Sequence, residues 1–165
     1  MPTPFRLEAL KRLTAVLEEI TTGNGYSQDM TGRVFRGRAI FGDNDPVPML
    51  SILEVPQPPE QIPPPASGTT YKGDWDLVIQ GFLPDDRENP TDPAHYLLAD
   101  VKRRLAEEKR KGRKDFVHLG FKNAVTGIEI GPGVVRPPDE VSDKAYFWLT
   151  VTLQVVDDLT DPFTY

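Results

Sequence analysis

The stretch YFWLTVTLQVV, from Tyr146 to Val156, decides the fold of this chain. Apolar side chains alternate in it with polar or aromatic ones, and a period of two residues is typical of a β-strand that buries one face. Most of its residues are β-branched or aromatic, which favours a strand. We predict a long strand at the centre of a sheet. Its buried face is expected to consist of Phe147, Leu149, Val151, Leu153 and Val155.

Three earlier segments also have the composition of strands. They are Arg33 to Phe41, Met49 to Val55 and Trp75 to Phe82. Gly37 weakens the first, since a glycine inside a strand often marks a bend or a bulge. Shorter candidates lie at 116–121 and 126–130, and the sequence does not fix their pairing.

A proline-rich stretch separates two of these strands. Eight of the 17 prolines lie between Pro46 and Pro65. Because proline has no backbone N–H, this stretch cannot continue as a central strand beyond Val55. We predict a long extended loop at about 55–73, joining two strands that can pair as a long-armed hairpin.

Two segments are predicted as amphipathic helices. The first runs from Thr3 to Thr22, with Thr3 as its cap, Pro4 at its first position and Gly23 as its end. The second begins at Asp92 and Pro93, runs to about Lys111 and stops at Gly112. Their apolar stripes are Leu10, Leu13, Leu17 and Ile20 in the first, and Leu97, Leu98, Val101 and Leu105 in the second. The pairs expected at i,i+4 in the second helix are Asp100 with Arg104 and Glu107 with Lys111.

These elements predict an α+β fold: a mainly antiparallel sheet with two amphipathic helices packed on one face. A length of 165 residues suits a single domain, and we assign residues 1–165 to one.

Composition excludes several classes of function. The 25 acidic and 19 basic residues give a net charge of −6, which disfavours a general attraction to nucleic acid or to an anionic membrane. The chain has no cysteine, so disulfides, thiolate metal sites and cysteine nucleophiles are excluded. The start lacks a signal-peptide pattern, and no apolar run reaches the roughly 18 residues of a membrane span. We expect a soluble protein made and used inside a cell, without a membrane partner.

No catalytic or metal-binding pattern stands out. His95 and His118 lie in unrelated segments without a partner at metal-ligand spacing, and the chain has no phosphate loop and no nucleophile elbow. The acidic runs at 85–88 and 157–161 do not follow the spacing of a calcium loop. We therefore expect no enzymatic activity, no metal and no cofactor.

One charge cluster stands apart. The segment from Lys102 to Lys114 holds eight basic and two acidic residues, a local net charge of +6. The candidate basic contact patch within it is Lys102, Arg103, Arg104, Lys109, Arg110 and Lys111. Such a patch can bind a phosphate backbone through counterion release, or it can be the solvated end of a helix. We favour the solvated end, because the patch has no interleaved aromatic residues and no DNA-binding motif accompanies it.

Tyr146 and Trp148 lie on the polar-looking face of the last predicted strand. Aromatic residues there can anchor a partner, or they can lie under a helix. Both interpretations stay open at the level of sequence.

The order of these features resembles the tail terminator proteins of long-tailed bacteriophages. The resemblance rests on an N-terminal amphipathic helix, GRVFRGRAIFGDNDPVPMLSILEV (32–55), a long loop, WDLVIQGFLP (75–84), DPAHYLLADVKRRLAEE (92–108) and DKAYFWLTVTLQVV (143–156). It implies a structural virion protein, assembled in the host cytoplasm, that forms a hexameric ring on the head-proximal end of the tail tube. There it would end tube growth and present the surface for head-tail joining. Its implied partners are copies of itself, the tail tube protein and the head-tail connector, with no sequence-specific nucleic acid.

Candidate interface residues follow from closeness to the predicted loops, since a ring needs contacts between unlike surfaces of identical subunits and projecting loops can supply them. They are Arg36, Arg38, Tyr71, Lys72 and Trp75. The alternatives are a head-tail connector or minor tail protein, and, from another class, a nucleic-acid-binding module that uses segment 102–114.

Overall fold

The computed structural model describes residues 1–39, 44–56, 68–84 and 86–165, and it has an α+β fold. Each of the two α-helices of these residues precedes a group of three strands. In chain order they are α1 (Phe5–Glu18), a short 3-10 turn (Thr22–Asn24), β1 (Val34–Arg36), β2 (Met49–Glu54), β3 (Thr70–Leu83), α2 (Asp92–Asp115), β4 (Val125–Ile130), β5 (Val134–Arg136) and β6 (Ala145–Asp158).

The six strands of the described residues form one sheet in the order β1-β2-β3-β6-β4, and β5 also pairs with β6. β1 and β2 are parallel, and every other pair is antiparallel. β3 and β6 pair along their whole length, from Thr70 opposite Asp158 to Leu83 opposite Ala145. The predicted α+β class, the mainly antiparallel sheet, the hairpin of β2 and β3 and the central last strand are confirmed.

The core lies against one side of this central pair. The five predicted inward residues of β6 are at most 1% exposed. They share one apolar cluster with residues of β3 and of both helices, among them Leu77 and Ile79 of β3, Leu13 and Leu17 of α1, and Leu97 and Val101 of α2. Burying an aliphatic side chain of this size stabilises the fold by about 1.5–3 kcal/mol.

The first helix is shorter than predicted at both ends. Pro4 occupies the N-cap position without a side-chain cap, and Thr3 does not cap the helix. The Phe5 N–H is satisfied instead by the carbonyl of Pro162, at 2.8 Å. The helix ends at Glu18, because the chain then turns into the 3-10 turn. Gly25, with a φ of 82°, takes the left-handed position that closes this turn, so Gly23 is not the terminating glycine.

The second helix is longer than predicted. It continues to Asp115, and Gly112 lies inside it rather than after it. A Cβ atom at residue 112 would lie 2.3 Å from Cδ2 of His118, so this glycine serves a close contact and not a helix end. Phe116 ends the helix with a φ of 56°.

Two predicted strands also change. Segment 116–121 is not a strand, since a single bridge between His118 and Phe121 follows the left-handed Phe116. The strand predicted at 33–41 shrinks to β1, because Gly37 has a φ of 68° and turns the chain, while residues 40 and 41 lie outside the described ranges. β5 was not predicted, since three residues carry no recognisable period.

The predicted loop at about 55–73 overlaps the sheet. Strand β3 begins at Thr70, so residues 70–73 are strand and not loop. They pair with the last residues of β6, which is long enough to hold them. Residues 57–67 of the predicted loop lie outside the described residues.

Candidate interaction surface

The centre of the sheet keeps one accessible face in the part of the chain that the structure describes. Opposite residues of antiparallel strands share a face, and the register places Trp148 beside Gln80 and Val134, and Thr150 beside Val78. Trp148 is 37% exposed and Val134 is 50% exposed. We name this row the outer sheet face. It consists of Leu53, Val78, Gln80, Val134, Trp148 and Thr150.

The composition of the outer sheet face is that of an interface centre. None of its six residues is charged, and interface centres are depleted of charge and enriched in aromatic side chains. Charge begins at its margin with Asp76, whose carboxylate accepts a hydrogen bond from the Thr152 hydroxyl at 2.6 Å. The strands beneath it form the most extensively paired part of the sheet, so the surface is held rigidly.

Tyr146 and Trp148, for which the sequence allowed two interpretations, differ in their exposure to solvent. Tyr146 is 1% exposed and belongs to a small second cluster with Met49 and Phe82, where its hydroxyl donates to Asp139 at 2.9 Å. Trp148 contacts the Tyr146 ring edge-on, with centroids 5.6 Å apart, and stays partly exposed. Trp148 alone of the two is therefore available to a partner.

Two of the predicted interface residues lie at the β1 side of the sheet. Arg36 is exposed and donates to the hydroxyl of Thr14 at 2.9 Å. Arg38 pairs with Asp45 and lies over the Phe35 ring, 4.6 Å from its centroid. Both cations are held by the chain itself.

The other three lie near the start of β3, with β2 between them and β1, so the five do not form one surface. The prediction that Tyr71 and Lys72 belong to the long loop is wrong, because both are residues of strand β3. Trp75 is 5% exposed and its indole N–H donates to Glu54 at 3.0 Å. Its burial in the chain's own core leaves almost no surface for a neighbouring subunit.

The basic segment divides into two groups. Four of its cations are bound within the chain: Lys102 by the Pro132 carbonyl, Arg103 by Glu107 and the Gly25 carbonyl, Arg104 by Glu19 and Glu108, and Lys109 by Glu129. The remaining four are exposed and make no ion pair or hydrogen bond with any described residue. They are Arg110, Lys111, Arg113 and Lys114. Of the six residues predicted as the basic contact patch, only Arg110 and Lys111 belong to this second group, because the other four are bound by partners that mostly lie far away in the chain.

Two side chains of α2 hold the connection between α1 and β1. The buried Asp100 accepts from both the backbone N–H and the hydroxyl of Ser27, at 2.9 and 2.5 Å. Glu107 accepts from the Tyr26 hydroxyl at 2.8 Å. These contacts replace the predicted i,i+4 pairs of Asp100 with Arg104 and Glu107 with Lys111.

The same contacts shift two pKa values. Burial and the hydrogen bond to Glu107 raise the pKa of Tyr26. The hydrogen bond from Tyr26, together with that from Arg103, lowers the pKa of Glu107. A carboxyl whose pKa is lowered by folding stabilises the fold above its unfolded pKa, and this contribution disappears as the pH falls through the folded pKa.

Tyr26→Phe is expected to lower the free energy of unfolding by about 1 kcal/mol at pH 7, since it removes one hydrogen bond to a partly exposed carboxylate. The difference from the natural chain should shrink as the pH falls from about 5 to 3, because protonation of Glu107 removes the same interaction in both proteins. Urea unfolding at several pH values measures it. Tyr96→Phe, at a residue 64% exposed on α2, is the control and should change nothing. An equal cost of Tyr26→Phe at every pH would contradict this account.

The two histidines lie apart from each other, and the described surface also carries shallow clefts. His95 is exposed, and His118 is buried against Gly112. Two clefts, of about 360 and 400 Å³, lie beside Trp75 and between the end of α2 and β4. Across the described ranges, no group of three or more histidine, aspartate or glutamate side chains is placed to hold a metal ion. No helix in these ranges is long and apolar enough to cross a membrane.

Comparison of the chain with protein-family models and with curated proteins finds no match to either.

Proposed function

We propose that this chain is a structural virion protein, the tail terminator of a long-tailed bacteriophage. In this role it forms a hexameric ring at the head-proximal end of the tail tube. The ring ends tube growth and offers the surface to which the head-tail connector attaches. Its activity is the assembled shape, and no reaction is catalysed.

The observation that carries the proposal is the outer sheet face. It is an uncharged row on the rigid pair of β3 and β6, with Trp148 between Gln80 and Val134. A rigid, uncharged surface with a tryptophan suits a permanent protein contact better than a small-molecule site, which is concave and enclosed.

The placement of the helices belongs to the same proposal. We infer that both pack on the face opposite the outer sheet face, because residues of α1 and α2 share one cluster with the inward residues of β3 and β6. This arrangement leaves the outer sheet face to neighbouring subunits.

A ring needs two different surfaces on each subunit. In a closed ring, one patch of each subunit contacts another patch of the next, so the two patches must be complementary and not identical. The outer sheet face is the first patch in this proposal.

Trp148→Arg is expected to weaken ring formation about tenfold or more, because the contact would then bury an unpaired charge. Native mass spectrometry and negative-stain imaging measure it, with the purified chain alone and with tubes assembled from the tail tube protein of a long-tailed phage. The natural chain should form rings that cap one end of the tubes.

Tyr96→Arg is the matched control, since it places the same charge at an exposed aromatic residue of α2, and rings should persist. Thermal melting checks that both variants fold. A natural chain that stays monomeric and never binds tubes would end the proposal. Rings that bind only the connector would support the alternative of a head-tail connector protein.

A further inference from the structure

The end of α2 carries an unusual set of exposed side chains, which we name the α2 tip. It consists of Arg110, Lys111, Arg113, Lys114 and Phe116. At 100° per residue, the four cations span one continuous arc of the helix on the side opposite the buried stripe of Val101, Leu105 and Gly112. Asp115 is the acidic residue among them, so the cations dominate this end.

Helix stability explains only part of this set. Cations near a helix C-terminus interact favourably with the helix dipole, but the effect fades beyond the last turn. Arg113 and Lys114 lie in the last turn, whereas Arg110 and Lys111 lie before it. None of the four has an acidic partner in the described ranges, although the chain has an excess of acidic residues and pairs three other cations of the segment, Arg103, Arg104 and Lys109, with carboxylates.

Phe116 is the second, independent observation. Its side chain is 80% exposed, so the ring contributes almost no buried apolar area to the fold. Its φ of 56° lies in the left-handed region, where glycine is favoured. A bulky residue kept in a strained backbone position without packing needs a reason outside the fold. Phe116 also lines the cleft of about 400 Å³ between α2 and β4, together with Lys109, Arg113 and His118.

We propose that the α2 tip binds single-stranded nucleic acid, without sequence preference. The four cations contact successive phosphates, and the exposed ring of Phe116 stacks on a base. An acidic peptide would satisfy the cations, but a chain of acidic residues carries no aromatic group that stacks on the Phe116 ring, whereas every nucleotide of a single strand carries a base. This site does not rest on the proposed ring, since it lies within one subunit.

Binding should be measured by fluorescence anisotropy of a labelled 12-nucleotide single-stranded DNA with the full chain, at about 20 to 200 mM salt. Contacts with four phosphates predict that log K falls with log salt at a slope of about −3. The same strand as a duplex should bind more weakly, because its bases are already stacked. A labelled polyglutamate peptide should not bind.

Charge reversal tests the cations. The triple variant Arg110→Glu, Lys111→Glu, Lys114→Glu is expected to lose binding by about 30-fold or more. The matched control reverses one exposed arginine and two exposed lysines elsewhere, and should bind within threefold of the natural chain. Its substitutions are Lys11→Glu, Arg87→Glu and Lys122→Glu. Both variants carry the same net charge, so a difference between them reports the position of the cations.

Phe116→Gly tests the role of the aromatic side chain. The direction of the change in melting temperature separates an effect on binding from an effect on folding. Glycine relieves the left-handed strain, so the melting temperature should stay the same or rise, while affinity for the single strand should fall about tenfold. A fall in both would mean that Phe116 serves the fold. No binding at 20 mM salt, equal loss in the two charge variants, or binding of polyglutamate in preference to DNA would overturn the proposal.

Discussion

Gly81→Ala is expected to lower the free energy of unfolding by about 3 kcal/mol, at the upper end of the usual cost of overpacking a core. A methyl group at residue 81 would lie 2.1 Å from Cε1 of Phe147. Phe147 stands directly opposite on β6 and is fully buried, so its ring cannot move without displacing its neighbours. Urea unfolding of the purified variant measures the loss.

Gly73→Ala is the matched control for this prediction. Gly73 lies on the same strand and the same face, but its added Cβ would meet the hydroxyl of Tyr71, at 2.7 Å. Tyr71 is half-buried and can swing outward, so we expect a cost of about 0.5 kcal/mol or less. Phe147→Leu should recover part of the stability lost in Gly81→Ala. If the two glycine variants were equally mild, the close packing of Phe147 on Gly81 would be wrong.

Gly112→Ala is expected to destabilise the chain by about 2 kcal/mol, although alanine normally stabilises a helix interior by about 1 kcal/mol relative to glycine. The reversal of sign comes from His118, whose ring would lie 2.3 Å from the new Cβ. His118 is 7% exposed and is held by its bridge to Phe121, so it cannot easily withdraw.

A double-mutant cycle isolates this contact. In a His118→Ala background the clash is absent, and Gly112→Ala should then stabilise by about 1 kcal/mol, as in an ordinary helix. Thermal or urea unfolding of the four proteins gives the coupling. A stabilising Gly112→Ala in the natural chain would show that His118 does not determine the glycine.

The two glycines illustrate how far sequence patterns reach into the fold. Gly112 was predicted to end the second helix, and Gly81 lies inside a predicted strand with no local feature that sets it apart. The side chains that pack against them, His118 and Phe147, belong to other segments, and a local sequence pattern does not predict such contacts. Similarly, Phe116 was grouped with a short strand, because a left-handed backbone position is normally predicted at glycine or asparagine and not at phenylalanine.

The candidate surfaces show the same division. Trp148 and Tyr146 alternate with the buried residues of β6, and their period alone could not tell which of them is exposed. The answer came from the second cluster, where Met49 and Phe82 cover Tyr146. The interface residues predicted from their closeness to loops do not form one surface. The burial of Trp75 and the strand position of Tyr71 depend on the pairing of β3 with β6, which the sequence does not show.

Local periodicity was sufficient to establish the class of fold, the two amphipathic helices, the central strand and its buried face, because a period of two or 3.6 residues is a property of neighbouring residues. It could not say which cations of the basic segment are bound. Arg104 contacts Glu19 across 85 positions and Arg103 contacts Gly25 across 78, and such partners meet only when the chain is folded. The four exposed cations of the α2 tip are those for which folding brings no partner within the described residues.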